Sequence, residues 1–299
     1  MSTTQPNIYI QTFESIVRHL AQQEVTRLRP HVTERQAQSV NHNWERLGLS
    51  DAVQKTVRLS STPTSGNTPN ASTEWDRRVS IAQTWHNGDS TEQEDPSQML
   101  VDPNSNLAMS LGYSMRRAMD DIIINAATGD AIGGDGSPVT FPVTQVVGDG
   151  TTAISFDFIT EVQETFMEND ITPDIPKVAI IGPTQVRKLM QLTEQTSSDY
   201  VGVNSRGALQ ELSSSGIVPN WMGFTWVMST RLLAPSGGEL SCLFFTKRAL
   251  GLHVPRDINA RIAEDPSNSF AWRIYCQFVA GCVRVEDEHI VHLHVLDSV

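Results

Sequence analysis

Residues 104–128 read NSNLAMSLGYSMRRAMDDIIINAAT, and the rest of the chain is arranged around this stretch. Leu107, Leu111, Met115, Ala118, Met119, Ile122 and Ala126 recur at three- and four-residue intervals, which lays one apolar stripe along an α-helix. Asn104, after Pro103, is placed to cap the N-terminus, and Gly129 stands where a left-handed residue would close the C-terminus. At about 1.5 Å per residue the helix spans roughly 35 Å, enough to brace a domain. Its polar face sets Arg116 four residues before Asp120 and Arg117 four before Asp121. Solvated pairs of that kind contribute about 0.3 kcal/mol each. The alternative use of these four charges is contact with another subunit.

The full chain has 299 residues and a formal net charge of −12. Its length supports one large core or two modest ones. No run approaches the roughly eighteen apolar residues of a membrane span, and MSTTQPNIYIQ at the start lacks a signal-peptide pattern. The expectation is a globular protein, without membrane partners, that stays in the cytoplasm where it is made. Cys242, Cys276 and Cys282 are an odd set without metal-ligand spacing, so buried thiols are expected. The acidic balance excludes a protein that coats nucleic acid, because phosphate binding needs clustered cations. Lysine occurs only at Lys55, Lys177, Lys188 and Lys247, so arginine dominates the basic set, which suits bidentate pairing with carboxylates at protein contacts.

Upstream of the helix, Ile8 to Leu28 reads as an amphipathic helix ended by Pro30, either a first core helix or an arm that lies on something else. Thr33 to Arg46 is polar and reads as helical or irregular. Val53–Leu59 (VQKTVRL) and Arg78–Trp85 (RVSIAQTW) both alternate apolar with polar residues, and STPTSGNTPNAST lies between them. Together they predict a long hairpin with a loose tip. A lone two-stranded ribbon is marginal in water, so this one needs a surface elsewhere. Arg58, Trp75, Arg77, Arg78 and Trp85 are candidate anchors, of the residue types enriched at interfaces. The acidic GDSTEQEDPSQ links the hairpin to the long helix.

Downstream, GDAIGGDGSP (129–138) is a turn: no Gly-Lys-Ser/Thr follows, and no Gly-x-Gly-x-x-Gly opens a helix. Val139–Val147 alternates as a strand. Asp157–Met167 reads as a helix, Lys177–Ile181 as a buried strand, Gln185–Leu192 as a helix, and Phe224–Met228 and Leu240–Phe245 as further strands. Three strands and two helices predict a small sheet packed on one side. Strands return at Ile258–Ala263, Phe270–Val279, Val283–Val285 and Ile290–Val295, with the turn EDPSNS carrying Glu264 and Asp265. His292 and His294 share one strand face, and a metal there would need a third ligand such as Asp287 or His289. No ligand is placed by spacing, so solvated or hydrogen-bonded imidazoles are the favoured reading. No nucleophile elbow, P-loop, zinc-protease helix or kinase set is present. The expectation is therefore a non-enzyme without cofactor or metal.

The order of parts, and the stretches RRVSIAQTW, MRRAMDDIIINAATGDA, VAIIGPTQVRKLM, GFTWVMSTRL and GCVRVEDEHIVHLHV, resemble the major capsid proteins of tailed bacteriophages, the Hong Kong 97 type. The resemblance implies an α+β fold with an N-terminal arm (1–45), an extended loop (46–95), a peripheral domain with a spine helix (96–150), an axial domain (151–252) and peripheral return strands (253–299). By the same resemblance Thr56–Trp85 would reach over an adjacent subunit, Ala234–Glu239 would approach the capsomer axis, and Glu264–Ser269 would sit where three capsomers meet. It implies self-assembly into hexamers and pentamers of an icosahedral head that encloses DNA without reading its sequence. It further implies a separate scaffolding protein, a portal and decoration proteins as partners, and the virion as location after assembly in the host cytoplasm. The alternatives are an encapsulin-like nanocompartment shell and a soluble α/β enzyme with a histidine–carboxylate site.

Overall fold

The structure, a computed structural model, describes residues 22–54, 73–92, 94, 103–191 and 216–297. The helix expected from Ile8 up to residue 21, the strand around Arg58, the loop tip as far as Ser72 and the stretch 192–215 lie outside the described residues. Within them the chain divides into two units. The smaller holds 22–26, Thr84–Met119 and Arg256–Val279; the larger holds Arg27–Gln83, Asp120–Pro255 and 280–297.

The larger unit opens with strands β1 (Thr33–Arg35), β2 (Asn41–Leu47) and β3 (Trp75–Ile81). Beyond the helix α1 (Pro103–Thr128) it continues with β5 (Ala131–Ile132), β6 (Pro138–Val139) and β7 (Val146–Val147). Then come α2 (Phe156–Glu168), β8 (Lys177–Ile181), α3 (Pro183–Gln191), β9 (Ile217–Trp221), β10 (Phe224–Met228), β11 (Glu239–Thr246) and β14 (Ile290–Leu296). Its core is a six-stranded sheet in the order β7-β14-β11-β8-β10-β9. The sequence KVAII of β8 is apolar on both faces, as a central strand must be. Ser155 caps α2 by accepting from the Phe158 N–H at 3.4 Å, and Ile159, Val162 and Phe166 turn inward. Trp226 lies at the centre, fully buried, with the rings of Trp221, Phe224 and Phe244 at 5.0, 6.1 and 5.8 Å.

The sheet is larger than the three strands expected. β14 aligns with β11 from Glu239↔Leu296 to Phe245↔Ile290, so the stretch 253–299 does not stay together as return strands. Val139–Val147 is not one strand: Pro142, which has no N–H to donate, precedes a 3-10 turn at Val143–Gln145 that separates β6 from β7. Thr33–Arg46 is irregular only at 36–40; its remainder is strand, and none of it is helical. β1 runs parallel to the strand β12 (Leu250–Asp265) at Gly251–His253, and β2 pairs with β3 from Asn41↔Ile81 to Leu47↔Trp75. The partner of β3 is thus Asn41–Leu47, and Val53 and Gln54 carry no strand.

In α1 the buried apolar side chains are Leu111, Met115, Met119, Ile123, Ile124 and Ala127. Past Met119 the stripe follows four-residue steps, which moves it off the expected Ile122 and Ala126. The N–H of Gly129 still bonds the Asn125 carbonyl at 2.8 Å, and Gly129 is absent from the residues with positive φ, so it extends the helical pattern instead of reversing it. No helix among the described residues is long and apolar enough to cross a membrane.

In the smaller unit α1 as far as Met119 accompanies β4 (Gln83–Thr91), the distal part of β12 and the first part of β13 (Ala271–Arg284). Met115, Met119, Ile274, Cys276 and Phe278 are buried there, and Trp85 stacks on Phe278 at 6.5 Å. The tip between β12 and β13 is closed by Asp265, whose carboxylate accepts from the Ser267 N–H at 3.0 Å and hydroxyl at 2.5 Å. Those bonds hold the Asp265 carboxyl below its ordinary value.

Candidate functional site

The β2–β3 ribbon is the part of the larger unit whose ends differ most. Its middle, where Trp44 lies opposite Arg78, is fixed by ionic groups. Arg284, with none of its surface exposed, donates from Nε to Asp287 Oδ1 at 2.5 Å and from its two Nη atoms to the carbonyls of Gly129 at 2.6 Å and Val139 at 2.9 Å. Its guanidinium lies 4.9 Å from the Phe141 ring centroid. Arg78 of β3, 5 % exposed, donates to the other carboxylate oxygen of Asp287 at 3.0 Å. One buried carboxylate therefore serves two guanidiniums, and the remaining donors of Arg284 find backbone oxygens, which is what makes a buried cluster tolerable. Arg78, expected as an intersubunit anchor, has its partner inside the chain.

The end that carries Leu47 and Trp75 is apolar and open. Leu47 and Trp75 face each other across the ribbon at 61 % and 75 % exposure, and Leu49 follows at 98 %. A cluster of large exposed hydrophobics on an otherwise well-packed unit marks an interaction surface. Between the ends, Trp44 donates to Ser80 Oγ at 3.0 Å and covers Gly251, where a Cβ would come within 2.5 Å of its ring. Arg77 lays its stem against Gly134 in the same way, and Arg46 bridges to Asp76 at 3.4 Å.

The charges of α1 are used differently from the expected four-residue pairs. Arg116 donates to the Glu24 carbonyl at 2.7 Å and Arg117 to Gln22 Oε1 at 2.5 Å. Asp120, 1 % exposed, accepts from the N–H groups of Arg27 at 3.0 Å and Leu28 at 3.3 Å, and Asp121 takes a two-pronged bond from Arg231. Both acids hold the segment 27–28 and the loop after β10 to the larger unit. Trp85 is partly exposed, Glu264 is exposed at the tip, and Asp265 carries the turn described above. Leu47 and Leu49 were not singled out from sequence, although two leucines on either side of Gly48 in a polar stretch are the signal that finds them.

The sequence pattern of the phage capsid protein family matches residues 6–297. The chain belongs to that family. Among solved structures, the capsid of Ralstonia phage GP4 superposes with a TM-score of 0.71 at 9 % identity, covering 100 % of this chain and 98 % of that one. The capsid of cyanophage P-SCSP1u gives 0.70 at 16 % identity over 98 % and 94 % of the two chains. Cyanophage Pam1 gives 0.70 at 11 % over 99 % of each. No curated protein matches in sequence. This capsid protein thus has the α+β fold of the tailed-phage shells, the Hong Kong 97 type, and neither the nanocompartment nor the enzyme alternative has support.

The histidine pair of the capsid protein belongs to its core. His292 donates from Nε2 to the Ala127 carbonyl at 3.1 Å and stacks on Phe141 at 3.7 Å, with His294 6.3 Å away. The other two proposed ligands are occupied: Asp287 by arginines, and His289 by Glu286 at 2.9 Å and Thr246 at 2.7 Å. Among the described residues no three metal-capable side chains converge. Burial pushes the His292 imidazole down to about 4, against the opposing bond to Ala127. An unfolded chain takes up that proton near pH 6.5. The neutral ring's contribution is therefore complete above about pH 6.5 and is lost as pH falls toward 4, about 3 kcal/mol in all. Substituting His292→Gln keeps a donor for Ala127 and removes the titration. Between pH 7 and 4.5 the variant should lose about 2 kcal/mol less stability than the unchanged chain, read from urea denaturation at each pH. Parallel pH profiles would refute this.

Proposed function

We propose that this chain is the main shell subunit of a tailed, double-stranded DNA phage, assembling in the host cytoplasm into hexamers and pentamers of an icosahedral head. The reading rests on family membership across residues 6–297, and the single observation that carries it is the ribbon: fixed at its middle by Arg78, Asp287 and Arg284, and carrying exposed Leu47 and Trp75 at the last pair of its ladder. Such a part gains a home when siblings surround it. Weak contacts suffice, because many copies in a closed shell supply avidity. In this reading residues 46–95 hold the extended loop, α1 is the spine helix, the β8–β11 sheet is the axial core and the β12–β13 tip is peripheral. Trp75, Arg77, Trp85 and Glu264 are the candidate contacts that remain open to neighbours. A net charge of −12 keeps packaged DNA from adhering to the wall. A separate scaffolding protein, a portal and decoration proteins complete the set of partners.

Sedimentation and negative-stain microscopy of the expressed chain, alone and with its scaffolding partner, test the proposal. Closed particles of uniform diameter are expected. A compact monomer under every condition tried would end it.

A further inference from the structure

The larger unit carries, besides the apolar ribbon end, a notch of about 130 Å³ beside the sheet, lined chiefly by Gln163, Met167, Ile171, Pro173, Lys177 and Met222. That is room for one bulky apolar side chain. Its far wall is a two-residue turn between β9 and β10 in which Met222 and Gly223 both take the left-handed conformation, φ 50° and 74°. Asn-Gly is the usual occupant of such a turn, and methionine there stores backbone strain of the sort found at binding surfaces. Gln163 fixes the turn by donating from Nε2 to the Met222 carbonyl at 2.6 Å. Met167 on α2 is 63 % exposed at the mouth, and methionines adapt readily to an incoming apolar group. At the rim stands Lys177, its ammonium 6.0 Å from the Phe166 ring.

The ribbon end has the matching features. Trp75 is flanked by the exposed acids Glu74 and Asp76, in the order Glu-Trp-Asp, with Leu47 opposite. Knob and notch are open at once in the same unit, so neither fills the other within one chain. We propose that Trp75 seats in the Met167–Met222 notch of a second copy of this chain, with its cross-strand neighbour Leu47 outside against the mouth and the Glu74 carboxylate against the Lys177 ammonium. The proposal rests on the shell reading and specifies where the ribbon lands. Opposite charges at the rim set the register of an apolar anchor. Because two different patches of the same chain meet, the contact is head-to-tail, and contacts of that kind close into rings when the rotation divides a full turn. Five and six copies are such solutions.

The test keeps the tryptophan and replaces the charged pair. Particles of the double variant Glu74→Cys with Lys177→Cys, treated with oxidised glutathione, should give a ladder on a non-reducing gel that ends at six linked chains, while each single variant stays monomeric. In parallel, Trp75→Ala should lower the yield of particles at least tenfold while the soluble subunit keeps its thermal midpoint. Particles of the double variant without a ladder, or Trp75→Ala particles in unchanged yield, overturn this docking and leave the shell reading standing. Failure of the unchanged chain to form particles overturns both.

Discussion

Substituting Asp287→Ala should destabilise the unassembled subunit by about 3–5 kcal/mol, the loss typical of breaking a buried pair by removing one partner. Asp287 is the shared acceptor of Arg78 and Arg284, both nearly or fully buried, so the alanine variant leaves two guanidiniums without an anion in a low-dielectric setting. The Gly129 and Val139 carbonyls still hold Arg284, but neutral acceptors do not balance its charge. Among the described residues Arg78 has no such reserve, its Nε being without a partner there. Urea denaturation followed by far-ultraviolet circular dichroism reads the effect. The exposed pair Arg46–Asp76, with the Asp76 side chain 56 % exposed, is the internal comparison: Asp76→Ala should change stability by less than about 1 kcal/mol. Equal effects from the two substitutions would show that water reaches the Asp287 cluster.

Trp226→Ala should cost a similar amount, about 3–5 kcal/mol, for a different reason. Its ring touches three other aromatics, and its Nε1 donates to the Trp221 carbonyl at 2.8 Å. Truncation opens a void between β8, β10 and β11 that α2 cannot fill, because Ser155 fixes its start and Phe166 already lies against Phe224 at 6.2 Å. At about 2–4 °C per kcal/mol for a chain of this size, the midpoint of thermal unfolding should fall by about 10 °C. A drop under about 2 °C would mean that the cluster collapses around the gap and that the sheet is more plastic than its packing implies.

Where side-chain type and period agree, the sequence was readable. The strands Lys177–Ile181 and Phe224–Met228 fall on the expected residues, and α1, α2 and α3 agree to within a residue or two. These segments carry continuous apolar runs or a clean helical stripe. β2 was missed because the residues it turns toward the body are His42, Trp44 and Arg46, with only the ring of Trp44 apolar, so alternation was hidden by polarity. The joining of β14 and β7 to the central sheet was not legible either: pairing of Leu243 with His292, or of Val146 with His292, depends on tertiary register that no local pattern encodes. On the ribbon the anchors were half legible. Trp75 lies open as its residue type suggested, whereas Arg78 gave the same outward signal and is buried, because its carboxylate partner is 209 positions away. The helix charges misled for a related reason. Arg27, Leu28 and Arg231 bond Asp120 and Asp121 from distant parts of the chain.

That separation of 209 positions has a consequence for timing. On the ribosome, at about 5–20 residues per second, the arginine in β3 emerges roughly ten to forty seconds before the carboxylate that will hold it. During that interval the nascent ribbon lacks the ionic anchor at its middle, so a half-made polypeptide does not yet hold its tryptophan as the finished fold does. Under the shell proposal, assembly competence arrives with the last strands, and partly synthesised copies are kept out of the growing wall.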